Sequence, residues 1–124
     1  MIIGIGIDLC EIERIKTAME KPRFLEKYYS DSERAYLEKR GVCAAESAAA
    51  MFAVKEAALK ALGTGISEGL SIEQISVEHD ESGRPSVIFT GAALERFRLL
   101  NAKNAFVTIT HSGAQSAAVV VLEA

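Results

Sequence analysis

The chain has no tryptophan, and aromatic residues make up only 6% of its 124 positions. Large aromatic anchors cannot dominate its core; the abundant alanines point instead to close helix packing. Cysteine is equally scarce. Cys10 and Cys43 lie far apart with no CxxC or Cys/His spacing, which argues against structural zinc and a disulfide framework. They fit a reducing, cytoplasmic setting. No apolar run approaches the roughly 20 residues that cross a bilayer. The apolar N-terminus acquires Asp8, Glu11 and Glu13 at once, unlike a signal peptide. A clustered basic excess is also missing. The net charge is −3 with the signs mixed, which argues against nucleic acid as a partner and against electrostatic attachment to a membrane. With 49% hydrophobic residues, there is enough for one small core, hence one domain over residues 1–124.

The hydrophobic pattern divides this domain into alternating elements. Met1 to Cys10 reads as a strand with Ile3, Ile5, Ile7 and Leu9 on one apolar face. Gly4 and Gly6 weaken a strand, so another backbone or a ligand is expected to pass close by. Asp8 ends this strand, either as an N-cap for the next segment or as a functional carboxylate. Helices are predicted over 11–20 and 24–29. The Ser30–Glu33 capping-box pattern opens a third, running to about Arg40. Ala44 to Leu62 is a long Ala-rich helix that stops at Gly63. Two hairpins follow, one from 72–79 and 86–90 around an 80–85 turn, one from 105–112 and 116–122. A helix over 91–101 separates them. The fold class is α+β, a small antiparallel-rich sheet packed with a long helix and shorter ones.

Chemistry concentrates at the end of the long helix. Glu56 and Lys60 sit four apart on one face, just before a Gly63-Thr64-Gly65 loop that lets a ligand approach the backbone. By itself such a pair is more often a solvated surface pair worth a few tenths of a kcal/mol. A histidine in a strand, here His111, is likewise more often a hydrogen-bonded structural residue than a ligand contact.

Three patches shift that balance. They are Gly4-Ile5-Gly6-Ile7-Asp8 with Glu11-Ile12, then Phe52-Ala53-Val54-Lys55-Glu56-Ala57 through Lys60-Ala61-Leu62-Gly63-Thr64-Gly65, then Ile109-Thr110-His111-Ser112. Together with the Gly83-Arg84-Pro85 turn, they resemble the acyl-carrier-protein synthase family of short-chain 4′-phosphopantetheinyl transferases, over essentially the whole chain. The resemblance implies the fold of that family. It also implies transfer of the 4′-phosphopantetheine arm of coenzyme A to a serine of apo acyl carrier protein, in support of fatty acid biosynthesis. Adenosine 3′,5′-bisphosphate is the other product. Asp8 and Glu56 would hold Mg2+, and Lys60 would offset charge on the pyrophosphate. Gly63, Thr64, Gly65, Gly83, Arg84, Pro85, His111 and Ser112 would contact the coenzyme. Arg14, Lys21 and Arg23 would dock the acidic carrier protein. Family members look like homotrimers with active sites between protomers. Many carry Arg where this chain has Met51, which removes a possible phosphate contact. Competing readings are a Mg-dependent pyrophosphate hydrolase using the same Asp8, Glu56 and Lys60, and a non-catalytic module that binds carrier protein or nucleotide.

Overall fold

In the computed structural model, which describes residues 1–63 and 69–124, strand β1 (Ile2–Glu11) leads into helices α1 (Ile12–Met19), α2 (Phe24–Tyr28) and α3 (Asp31–Arg40). A 3-10 turn connects α3 to the long helix α4 (Ala44–Leu62). Strands β2 (Ile75–His79) and β3 (Pro85–Phe89), helix α5 (Gly91–Leu99), and strands β4 (Asn104–His111) and β5 (Gln115–Glu123) complete the chain. Both predicted hairpins form, and both are antiparallel. β1 adds to the second along β5, giving a three-stranded sheet of order β1-β5-β4, while β2 and β3 form a separate ribbon. α4 lies across the three-stranded sheet. It is buried on most sides, which suits its many alanines and its weak segregation of polar from apolar faces.

β1 has the expected alternation from Gly4 onward, and its apolar face points outward, while Ile3, before a register shift, packs partly against the core. Ile5, Ile7 and Leu9 are 67%, 64% and 58% exposed, whereas Gly6 and Cys10 on the other face are buried. The small residues face inward because the backbone of α4 passes directly over them. A Cβ at Gly4 would overlap the carbonyl oxygen of Ala61, and one at Gly6 that of Ala57. The glycines therefore signalled a close backbone approach, as expected, and it is a helix that approaches. The outer face is left apolar in cross-strand rows. Ile5 pairs with Val121, which pairs in turn with Phe106; likewise Ile7 with Val119 and Thr108, and Leu9 with Ala117 and Thr110 across β5.

α3 begins as its capping box requires. Ser30 Oγ accepts from Glu33 N at 3.3 Å, and Glu33 Oε1 accepts from Ser30 N at 2.8 Å. Glu33 does more than cap. Its Oε1 also lies 2.8 Å from Lys55 Nζ on α4, and its Oε2 accepts from Val77 N on β2 at 2.7 Å. Lys55 donates as well to the carbonyl of Ile75. Both side chains are essentially inaccessible to water, at 1% for Lys55 and 0% for Glu33. Burial pulls the Lys55 ammonium below the usual lysine range, and the Glu33 carboxylate opposes that shift. A buried, hydrogen-bonded pair ties α3, α4 and β2 to one another; removing one partner would leave a charge stranded.

Because no space remains between β1 and α4 at Gly6, Gly6→Ala should destabilise the fold by about 3 kcal/mol or more. Gly113→Ala, where an added methyl meets nothing within 4 Å, should change stability by less than about 0.5 kcal/mol. Urea midpoints of the two variants check this; similar midpoints would mean that β1 and α4 are not in backbone contact.

Candidate active site

The close packing of β1 on α4 brings two carboxylates together. Asp8 shares the helix-facing side of β1 with Gly6 and Cys10, and Glu56 projects from α4. Both line a cleft of about 260 Å³ whose other walls are Leu9, Cys10, Arg14 and Phe52. Asp8 caps no helix: β1 runs past it to Glu11, and Glu11 occupies the N-cap position of α1 without a side-chain bond. Lys60, one turn beyond Glu56, reaches back to β1. Its Nζ donates to the Ile7 carbonyl at 2.9 Å and lies 3.2 Å from Asp8 Oδ1. A simple Glu56–Lys60 surface pair is therefore not what forms.

Glu56 is left with neither an ion pair nor a donated hydrogen bond among the described residues. Burial raises its pKa above the ordinary glutamate range and the Asp8 carboxylate adds to the rise, with Lys60 and Arg14 opposing both. Two acidic groups share one partly desolvated site, and a cation would relieve their repulsion. Cys10 is no nucleophile here. Chiefly through burial its thiol is pushed up to about 11, so it stays protonated.

The remaining expected contacts lie elsewhere. Gly63 ends α4 in the left-handed conformation, φ +85°, and its N–H bonds to the Lys60 carbonyl at 3.0 Å. Thr64 and Gly65 fall outside the described residues. Gly83, Pro85 and His111 line a second cleft of about 300 Å³, between the end of α3, the first half of α4, the β2–β3 turn and the end of β4. There His111 Nε2 lies 3.4 Å from Glu46 Oε1. Met51, 1% exposed, forms part of the wall. Arg84 lines a neighbouring groove with Asp80, Ser86 and Phe106. The Ser112 hydroxyl accepts from the N–H groups of Ala114 and Gln115, both at 3.3 Å, so it shapes the β4–β5 turn. Arg14 belongs to the acidic cleft. Lys21 and Arg23 are exposed and line neither cleft; Arg23 enters α2 through a left-handed turn, φ 71°.

The two clefts are served by different stretches of α4, Phe52 and Glu56 for one and Glu46 to Met51 for the other, and share no lining residue. Sequence reading missed Arg40, Glu46 and His79 in the second cleft. No spacing marks them, because α3, α4 and β2 meet there only through the tertiary fold.

The proximity of Asp8 predicts how Glu56 titrates. By carboxyl-carbon NMR, Glu56 should protonate at a higher pH than an exposed glutamate. Its negative charge is therefore lost earlier on acidification, and Asp8→Asn should bring its pKa down. A Glu56 titration indifferent to Asp8→Asn would show that the two carboxylates do not sense each other.

The profile of the 4′-phosphopantetheinyl transferase superfamily matches residues 4–119. A holo-[acyl-carrier-protein] synthase of Maridesulfovibrio salexigens is 42% identical over 125 residues, covering 99% of both chains. Solved structures agree. A holo-(acyl-carrier-protein) synthase from Bacillus anthracis in complex with CoA (3′,5′-ADP) is 34% identical, with a TM-score of 0.82 over 100% of this chain and 98% of its own. The holo-[acyl-carrier-protein] synthase of Neisseria meningitidis is 28% identical and reaches a TM-score of 0.87 over the whole of both chains. With profile, sequence and backbone in agreement over nearly its full length, the chain belongs to the 4′-phosphopantetheinyl transferase superfamily.

Proposed function

We propose that this single domain, residues 1–124, is a holo-[acyl-carrier-protein] synthase. It moves the 4′-phosphopantetheine arm of coenzyme A to a serine of apo acyl carrier protein and releases adenosine 3′,5′-bisphosphate, in support of fatty acid biosynthesis. The observation that carries this reading is the meeting of Asp8, Glu56 and Lys60 at one cleft. Relatives of known structure with coenzyme A bound support the donor, and the names of relatives support the acceptor.

The serine oxygen attacks the phosphorus next to pantetheine, and the pyrophosphate P–O bond breaks toward the nucleotide. The protein contributes mainly placement and charge neutralisation. The donor set fits Mg2+, which takes one or two carboxylates and completes its shell with waters and substrate phosphates. Asp8 and Glu56 would hold it, and no cluster of three or more metal-binding side chains occurs among the described residues. When bound, the ion neutralises the diphosphate. Lys60, anchored on the Ile7 carbonyl, presents its ammonium to the departing phosphate. Glu56 would also orient a water that takes the serine proton.

The active enzyme is read as a homotrimer. The Ile5, Ile7, Leu9 and Phe106 face is more apolar than a free surface would be expected to remain, and a second copy would cover it. Gly63 with the Thr64-Gly65 loop serves the phosphates, and Gly83, Arg84, Pro85, His111 and Ser112 the nucleotide. Among the described residues, Gly83, Pro85 and His111 line one cleft, Arg84 a neighbouring groove, and Asp8 and Glu56 another cleft, and this separation supports a site between protomers. Arg14, Lys21 and Arg23 dock the acidic carrier. No helix among the described residues is long and apolar enough to cross a membrane. The two free thiols fit a cytoplasmic location.

Coenzyme A, Mg2+ and apo carrier protein should yield a carrier heavier by the arm, read by mass spectrometry. Asp8→Ala should cut the rate by about 100-fold or more. Lys21→Glu should raise KM for the carrier several-fold and leave that for coenzyme A unchanged. Free phosphopantetheine would identify a hydrolase instead, and an unmodified carrier with intact coenzyme A a binding module. Sedimentation equilibrium should give three times the 13.3 kDa chain mass; a monomer at active concentrations would exclude the trimer.

A further inference from the structure

Resting on the transferase reading, we infer that Lys55 and Glu33 are positioning residues for the reaction: their buried ion pair fixes the rotation of α4 and so holds Glu56 toward Asp8. Neither residue lines the acidic cleft, and no step of the proposed chemistry uses either. Yet Lys55 stands immediately before Glu56 in the chain. Side chains of neighbouring helical residues leave the axis about 100° apart, so whatever pins one sets the direction of the other.

The packing of α4 alone does not supply that direction. Ala48, Ala49, Ala53, Ala57, Ala58 and Ala61 are all buried, and they lie on several sides of the helix. Methyl groups packed all round give little preference for one rotation over another. The glycines of β1 set how near the strand comes. Lys60 reaches the Ile7 carbonyl, but its side chain is more than half exposed. A small rotation matters. With side-chain tips about 5 to 6 Å from the axis, a turn of roughly 20° carries a carboxylate about 2 Å. A misplacement of about 1 Å can cost about 100-fold in rate.

The ion pair supplies it from outside the helix. Lys55 Nζ lies 2.8 Å from Glu33 Oε1 on α3 and donates to the Ile75 carbonyl on β2. Glu33 is itself fixed from two sides, by Ser30 N at 2.8 Å and by Val77 N at 2.7 Å. Ser30 Oγ and Ser76 Oγ, 2.8 Å apart, join the same two elements. Tyr29 adds a second hold on α4. Its ring centre stands 5.3 Å from Lys55 Nζ, and its hydroxyl donates to the Ala48 carbonyl at 2.7 Å, two turns earlier on the same helix face. A buried ion pair adds little net stability over apolar residues of like volume, but it demands one geometry. Here that geometry is the rotation that turns Glu56 toward β1.

The double variant Lys55→Met with Glu33→Gln tests this. It strands no charge, and the amide oxygen can still accept from Val77 N. It should stay folded yet lower kcat by roughly tenfold or more, with KM for coenzyme A and for the carrier changed by less than about twofold. Mn2+, followed by its broadening of the Leu9 and Ala57 amide NMR signals, should be needed at a several-fold higher concentration than in the wild type. Leu37→Ala, which opens the core under α3 and leaves the pair intact, should lower the urea midpoint but not kcat or Mn2+ affinity. Should the double variant not fold, Glu33→Gln alone is measured in the same way. Wild-type kcat and Mn2+ affinity in the folded variant would overturn the inference. An equal loss of kcat in Leu37→Ala would do so too, since the effect would then be one of stability. Failure of the transferase reading shows separately: the wild type would load no arm onto the carrier, while the Mn2+ comparison would still decide whether the pair positions Glu56.

Discussion

Everything at the acidic cleft depends on how closely β1 approaches α4. The carbonyls of Ala57 and Ala61 occupy the volume that side chains at Gly6 and Gly4 would need. With that space given up, Asp8, two residues beyond Gly6 on the same strand face, comes into the cleft of Glu56 and within reach of Lys60. A bulkier residue in either glycine position would push the strand outward and carry Asp8 with it. The same contact explains why α4 is built from alanine where it crosses the sheet. Small residues on both sides let two backbones approach as larger side chains could not.

A second constraint sets the rotation of α4. Lys55 and Glu56 are adjacent, so their side chains leave the helix about 100° apart. Lys55 is committed to the buried contact with Glu33, beneath the start of α3 and against β2. That leaves Glu56 to face β1. The ion pair also ties the β2–β3 ribbon, which carries Gly83 and Pro85, to the helix that carries Glu56. Removing either partner would strand a charge in the interior and release both relationships together.

The elements themselves were largely legible. The capping box at Ser30 and Glu33, the glycine stop at Gly63 and the pairing of both hairpins are local signals, and each is present, although β2 begins only at Ile75 because Ile72–Gln74 forms a 3-10 turn. Helix ends differed slightly, α5 stopping at Leu99 and not near residue 101. The orientation of β1 was not legible. A period of two separates Ile5, Ile7 and Leu9 from Gly4 and Gly6, yet it is silent on which set lies inside. Hydrophobicity favoured the isoleucines, while the demand for close approach to a helix placed the glycines inward. Lys55 was hidden for a similar reason. Its partner Glu33 lies 22 residues earlier, and only the capping role of that glutamate is written locally.

Residue type and short-range spacing settled the helices, the turns, the pairing of Glu56 with Lys60 on one helix face, and the motif set that marks the family. Their information ends where chain segments distant in sequence meet. Packing decided that Lys60 bonds to β1, that Arg14 joins the acidic cleft, that Arg84 turns to a neighbouring groove, and that His111 meets Glu46. It also left the isoleucine face uncovered on the single chain. Local conformational preference acts over one or two turns of backbone, whereas these contacts depend on the mutual fit of whole elements.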